Sequence, residues 1–396
     1  IGHHPNVTDN LLWLPFVVNS YVEETDDLAI FDTPIPFVDD PTPVPLYDHC
    51  CRAIEKVLER FGDNGLPLIG AGDWNDGLSA VGLRMKGESV WLGHFLYTIL
   101  CRFSEFTRDR GDQERTLRYG ERATQLREAL NDRAWDGEWY WRATKDSGEK
   151  IGSKENREGQ LYLNAQTWGV ISGVADRRRS EQVMDAVEKK LEFKAGPVLL
   201  YPAYTTTDEK IGYLTRYAPG MRENGGVYTH AATWSVIAEA MLGRGEAAFR
   251  IFSKLNPIYR GANPEEYFAE PYVTPGNIDG PESAFYGRGG WTWYTGSAAW
   301  LFKVGLEWIL GVRPTRGGLV ISPCIPKKWK GFRVKRRFRG AEYEIEVRNP
   351  SGVNTGVSSV TIDGCEMKGF KPGNSIVLPV FPAGSSPCIS ITMRST

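Results

Sequence analysis

The sequence predicts a mainly α-helical domain that carries long functional loops, followed by a small antiparallel β domain. Three observations carry that expectation. Apolar residues recur at helical spacing from Leu11 to about Val312. Between the periodic runs lie loops rich in Gly, Pro and aromatic residues, longest at 62–88, 193–228 and 257–295, and loops of that length in a compact domain are uncommon unless they build a site. After Arg313-Pro314-Thr315 the pattern switches to short alternating runs separated by turn signals. The domain limits are therefore placed at 1–313 and 314–396.

In chain order, Leu11, Leu12, Trp13, Phe16, Val17 and Tyr21 suit an amphipathic helix entered through Thr8 or Asp9 as its cap. Residues 50–61 form a second helix that ends before Gly62. In 89–108, Val90, Leu92, Phe95, Leu96, Ile99, Leu100 and Phe103 fall on one broad stripe. Further helices are expected near 113–132, 163–174, 179–192, 229–242, 244–255 and 296–310. Strands are expected at 318–321, 332–335, 343–347, 357–362, 376–378 and 388–393, broken by Asn349-Pro350, Asp363-Gly364 and Pro372-Gly373-Asn374. The basic run from Lys327 to Arg339 reads as a solvated strand face rather than a polyanion patch. Phe332, Val334 and Phe338 alternate with its charges, and Glu342, Glu344 and Glu346 follow at once.

Composition narrows the function classes. With 396 residues there is room for two or three domains at ~100–200 residues each. Lys and Arg total 47 against 49 Asp and Glu, a net charge of −2, which leaves no global field to hold nucleic acid. No apolar run approaches the ~20 residues of a membrane span. The start, Ile1-Gly2-His3-His4, has no secretion-signal pattern, so a cytoplasmic location is expected and the Asn6-Val7-Thr8 sequon reads as chance. Cys50, Cys51, Cys101, Cys324, Cys365 and Cys388 show no metal-binding rhythm and read as buried reduced thiols. The 13 Trp, 17 Tyr and 17 Phe exceed what a plain helical scaffold needs. Flat rings of that number suit a sugar-binding cleft, although aromatic side chains are more often core.

Three clusters could carry chemistry. The first, Gly70-Ala71-Gly72-Asp73-Trp74-Asn75-Asp76-Gly77, sets two carboxylates, an amide and an indole between turn-permitting glycines. A calcium loop fails, because counting from Asp73 places Arg84 where the twelfth-position acid belongs. A glycosidic-bond site fits: cleaving an acetal requires a carboxylic acid to protonate the leaving oxygen, and an indole can stack on a sugar ring. A structural turn explains the same residues equally well on chemistry alone. The second cluster, Arg222 to His230, ends at a helix start, where free N–H groups favour an anion; loop glycines and a packed histidine are the alternative. The third, Gly287 to Ser297, sets Thr295, Gly296 and Ser297 at another helix start, where ordinary capping is the alternative. No GxSxG elbow, P-loop or HExxH motif occurs, and five His leave no His-rich metal site.

In this order the clusters resemble the inverting phosphorylases of glycoside hydrolase family 94, over nearly the whole chain. The matching stretches are Asp9 to Pro15, Gly72 to Gly77, Gly87 to Leu92, Asn164 to Trp168, Glu223 to His230 and Trp293 to Ser297. The Gly87-Glu88-Ser89-Val90-Trp91-Leu92 stretch looks closer to the β-1,2-glucan branch than to the cellobiose branch. The resemblance implies an (α/α)6 barrel, incomplete at its N-terminal side, followed by the β domain. It implies phosphorolysis of β-linked gluco-oligosaccharides to α-glucose 1-phosphate, with Asp76 as general acid. Trp74, Asp73, Glu223 and Asn10 would bind sugar, while His230, Thr295 and Gly296 would hold phosphate. Phosphate is then a co-substrate, no cofactor or metal is required, and a homodimer is compatible with the family. Two alternatives stay open, an inverting hydrolase with Glu223 as base and a non-catalytic glucan-binding relative. The family's arginines upstream of the Asp9–Trp13 motif have no counterpart at 3–8, and Asn10 stands where a sugar-binding Asp is usual.

Overall fold

The computed structural model describes residues 7–38, 40–293 and 295–394, and of Thr295 the backbone only. The sequon residue Asn6, the 3–6 stretch, Tyr294 and the Thr295 side chain lie outside the described residues.

Helices of two kinds alternate along the chain. α3 (Val90–Asp109), α5 (Leu163–Ile171) and α7 (Thr229–Met241) are buried around most of their circumference, as helices in an inner layer must be. α4 (Gln113–Arg133) instead buries one stripe, Tyr119, Ala123, Leu126 and Leu130. α6 (Arg177–Lys190) likewise buries Ser180, Val183, Met184 and Val187. α3 packs on α5, α5 on α7, and α7 on α11 (Thr295–Lys303); α4, α6 and α8 (Gly245–Leu255) each pack outside the helix before them. α1 (Trp13–Thr25) joins the inner layer against α3, with α2 (Leu46–Leu58) outside it. The shorter α9 (Pro257–Arg260) and α10 (Pro264–Tyr267) interrupt the last long loop.

Three local readings need correction. Thr8 makes no side-chain cap; a 3-10 turn, Asp9–Leu11, precedes α1, and the Asp9 carboxylate accepts from the Trp13 indole at 3.0 Å instead. Leu11, Val17 and Tyr21 are exposed, because Leu12 at the start of α1 and Val18 and Val22 within it face inward. The last helix is α-helical only to Lys303 and continues as a π-helix, Val304–Ile309.

A cluster of five tryptophans fills the inner layer below the site. Trp234 of α7 lies 4.8 Å from Trp74, 5.4 Å from Trp168 and 6.0 Å from Trp300, centroid to centroid. It also stacks on Trp91 at 6.2 Å with an interplanar angle of 19°.

The β portion is not purely antiparallel. Strands Gly331–Phe338 and Ala341–Arg348 form an antiparallel hairpin, but Cys388–Thr392 runs parallel to Ala341–Arg348. The excursion from 349 to 387 between them is long enough for the crossover that a parallel pair requires. Ser359–Ile362 and Cys365–Glu366 complete that five-stranded sheet. Val312–Thr315, a strand straddling residues 313 and 314, joins Gly318–Ile321 and Ile376–Leu378 in a second sheet. Across the hairpin Arg333 faces Glu346, Lys335 faces Glu344 and Arg337 faces Glu342, which accounts for the basic run as a charge-balanced wet face. Of the six cysteines, Cys50, Cys51 and Cys324 are buried, while Cys101, Cys365 and Cys388 are exposed; all are free thiols.

Candidate active site

The inner helices α1, α3, α5 and α7 bring their N-termini to one place, the loop Gly70–Gly77. The 3-10 turn before α1 brings Asp9, α3 starts at Ser89, α5 supplies Asn164 and α7 supplies His230. This end of the inner layer carries the partial positive charge of four helix starts.

Asp73, Asn75 and Gly77 point inward and are bonded, so the loop has a single shape. Arg142 Nη2 donates to Asp73 Oδ1 at 2.5 Å, and both side chains are fully buried. Ser89 Oγ donates to Asp73 Oδ2 at 2.6 Å while accepting the α3 cap bond from Leu92 N–H at 3.0 Å. Asn75 is the hub. Its Oδ1 accepts from Arg142 Nη2 at 2.8 Å and Asn164 Nδ2 at 2.8 Å, and its Nδ2 donates to Glu223 Oε2 at 3.0 Å. Gly77 N–H donates to Glu223 Oε1 at 3.0 Å, and a Cβ there would stand 2.6 Å from Leu214 Cβ, so the close approach of the two loops requires glycine. With its neighbours turned inward, Asp76 is presented on the exposed side of the loop.

Four carboxylates, Asp9, Asp73, Asp76 and Glu223, form one electrostatic cluster. Burial pushes the Glu223 carboxyl up to about 7; the Asn75 bond opposes this and the Asp76 charge adds to it. Burial, then the Asp73 charge, likewise lifts Asp9 to about 7, against the Trp13 hydrogen bond. Asp9 Oδ1 is buried with no hydrogen-bond partner among the described residues. Tyr213 and Tyr228, both half-buried, are raised by burial and then by the charges of Glu223 and Asp76.

The half-buried Trp74 ring links the acid loop to a helix start. Its centroid is 5.2 Å from Tyr228 and 5.2 Å from His230, the second residue of α7. Burial pushes His230 down to about 3, leaving the imidazole neutral at neutral pH, and its buried Nε2 has no hydrogen-bond partner among the described residues. Trp300 of α11 lies 5.3 Å from the same imidazole, centroid to centroid. Gly296 is exposed in the first turn of α11, with nothing within 4 Å of where a Cβ would be.

The structure therefore gathers Asp73, Trp74, Asp76, Glu223 and His230, and sets α11 with Gly296 beside His230. Asn10 is exposed on the 3-10 turn, and the buried Asp9 before it belongs to the electrostatic cluster. Trp293 is 67% exposed and bonds Glu270 at 3.0 Å. Sequence reading missed Asp9, Ser89, Arg142 and Asn164 as members. Arg142 had a signal, a lone arginine directly after Trp139-Tyr140-Trp141, because a charge at the end of such an aromatic run is buried only if paired. No group of three or more His, Cys, Asp or Glu among the described residues could hold a metal ion.

Similarity to known proteins gives the family of this fold. Residues 1–311 match the glycosyl hydrolase 94 superfamily catalytic domain, and residues 312–362 match the glycosyl hydrolase family 65 C-terminal domain. The chain belongs to the glycosyl hydrolase 94 superfamily. It is 39% identical to the cyclic beta-(1,2)-glucan synthase NdvB of Rhizobium meliloti, over 91% of this chain and 13% of that protein. It is 36% identical to the solabiose phosphorylase of Paenibacillus borealis, over 98% of this chain and 50% of that protein. The chain thus spans half the length, or less, of these relatives. Among solved structures, a GH78 family rhamnosidase of Bacillus sp. GL1 shares the fold at a TM-score of 0.54 and 13% identity, covering 88% of this chain and 34% of that one.

Proposed function

We propose that this chain carries the catalytic centre of an inverting phosphorylase that cleaves β-linked gluco-oligosaccharides and releases α-glucose 1-phosphate, on the (α/α)6 barrel typical of that activity. The observation that carries the reading is the Trp74 indole, which belongs to the acid loop itself and meets Tyr228 and His230 at 5.2 Å each. A sugar ring over Trp74 would lie between Asp76 and the starts of α7 and α11.

Asp76 then gives its proton to the glycosidic oxygen as the C1–O bond breaks. A phosphate oxygen attacks C1 from the opposite face, so the configuration inverts and no second catalytic carboxylate is required. The neutral His230 offers Nε2–H to phosphate, and α11 offers backbone N–H groups at Thr295 and Gly296. Glu223 supports this reading as a sugar-binding and loop-holding group, since both its oxygens accept bonds from Asn75 and Gly77. Asn10 stays a candidate sugar-binding residue, and Asp9 beside it, whose buried Oδ1 has no hydrogen-bond partner among the described residues, is a second candidate. The glucan synthase relative puts β-1,2-linked glucans first among substrates to try.

Incubation with β-1,2- and β-1,4-linked gluco-oligosaccharides, with and without phosphate, tests the reading. Glucose 1-phosphate should appear only with phosphate, and Asp76→Asn should lower kcat about 10²- to 10⁴-fold. Sugar release of equal rate without phosphate would instead identify a hydrolase, and binding without turnover a non-catalytic relative.

A further inference from the structure

A phosphate placed beside this acidic cluster calls for a cationic partner. Arg142 does not supply it, because it is buried and paired with Asp73. Arg222 stands immediately before Glu223 and is half-buried. Its guanidinium carbon lies 3.9 Å from the centre of the Trp291 ring and 5.3 Å from that of Tyr217. Among the described residues its guanidinium donates one hydrogen bond, a long one from Nη1 to the Tyr217 hydroxyl at 3.5 Å. Among the described residues Arg222 makes no ion pair with a carboxylate.

The platform under Arg222 leads to the site. Trp291 meets Tyr228 edge-on at 6.1 Å, and Tyr228 meets Trp74 at 5.2 Å. Strands Val227–Tyr228 and Gly289–Gly290 flank Asn277–Ile278 in one small sheet, so Trp291 and His230 follow the two outer strands at the same end of the sheet. Arg222 and Trp291 both hold left-handed backbone, φ 51 and 52, which non-glycine residues adopt at a cost and which clusters at ligand sites. A guanidinium stacked on an indole keeps its edge N–H groups open for bidentate bonding to an oxyanion.

We propose that Arg222 is an anion-binding residue of this site, taking either inorganic phosphate or the carboxylate of an acidic acceptor sugar. The inference deepens the phosphorylase reading and rests on it for its kinetics, but not for its binding test.

Titration of the protein with sodium phosphate and, separately, sodium gluconate, followed by tryptophan fluorescence, reads binding directly. Arg222→Gly removes the charge and accepts φ 51 without strain; Arg222→Lys keeps the charge and loses the fork. The expected result is a Kd weakened about tenfold or more in Arg222→Gly for one of the two anions, partly restored in Arg222→Lys. Loss confined to phosphate assigns the co-substrate, and loss confined to gluconate assigns an acidic acceptor. An unchanged Kd for both, or no binding of either by the wild-type protein, overturns the proposal. Failure of the phosphorylase reading shows separately, as no phosphate-dependent product from a wild-type protein that still binds the anion. Where turnover is seen, Arg222→Gly should raise KM for the matching anion well before it lowers kcat.

Discussion

Glu223 and Asp9 make the folded protein's stability depend on pH in a direction opposite to that of salt-bridged acids. Both hold a proton up to about pH 7 in the fold, against ordinary values of 4.5 and 3.8. The folded state therefore binds protons that the unfolded chain has released. This contribution is full below the unfolded value and is lost as pH rises through about 7. Denaturant melts from pH 4.5 to 7.5 should show stability falling, with Glu223 accounting for on the order of 3 kcal/mol of the fall. Glu223→Gln should flatten that slope; an unchanged slope would mean Glu223 is ionised throughout. At this scale the acid loop was legible in the sequence because its carboxylates, amide and glycines are contiguous. Arg142 and Asp9 were not, because Arg142 meets Asp73 across 69 residues and Asp9 is defined by burial that no local pattern announces.

Ser89 couples an element to the site. Its hydroxyl caps α3 and also bonds Asp73, so Ser89→Ala removes a helix cap and leaves a buried carboxylate short of a donor. We expect a loss of about 1–3 kcal/mol by urea unfolding, with kcat reduced because the acid loop loses an anchor. A loss of stability with unchanged kcat would show that Arg142 and Glu223 hold the loop without the Ser89 bond. Helices were the most legible elements: the outer ones write a stripe with a period of about 3.6 residues, and the inner ones write apolar runs bounded by Gly-rich loops. The parallel strand Cys388–Thr392 was illegible for a physical reason: alternation reports which face is wet and says nothing of a partner's direction. The exposed side of α1 was misread because apolar spacing fixes a stripe without fixing which neighbours cover it.

Across the whole molecule one hydrophobic core runs without a break from Leu12 and Trp91 in the helices to Ile345 and Ile391 in the sheet. Arg339 adds a clasp, donating to the carbonyls of Glu23 and Glu24 at the far end of α1 and to those of Thr315 and Arg316, while Arg336 pairs with Glu24. The helical and β portions should therefore melt together. Calorimetry is expected to give one transition whose van't Hoff and calorimetric enthalpies agree, and two resolved transitions would contradict the shared core. The change from helix to strand near 313 was readable from the switch in period; the clasp was not, since it joins residues more than 300 positions apart. The tryptophan cluster has an optical side as well. Indoles whose centroids lie 4.8–6.3 Å apart exchange excitation faster than they emit, so Trp74, Trp91, Trp168, Trp234 and Trp300 absorb as a coupled set. Their near-ultraviolet circular dichroism belongs to the ensemble, and a ligand that shifts only Trp74 rewrites the signature of all five.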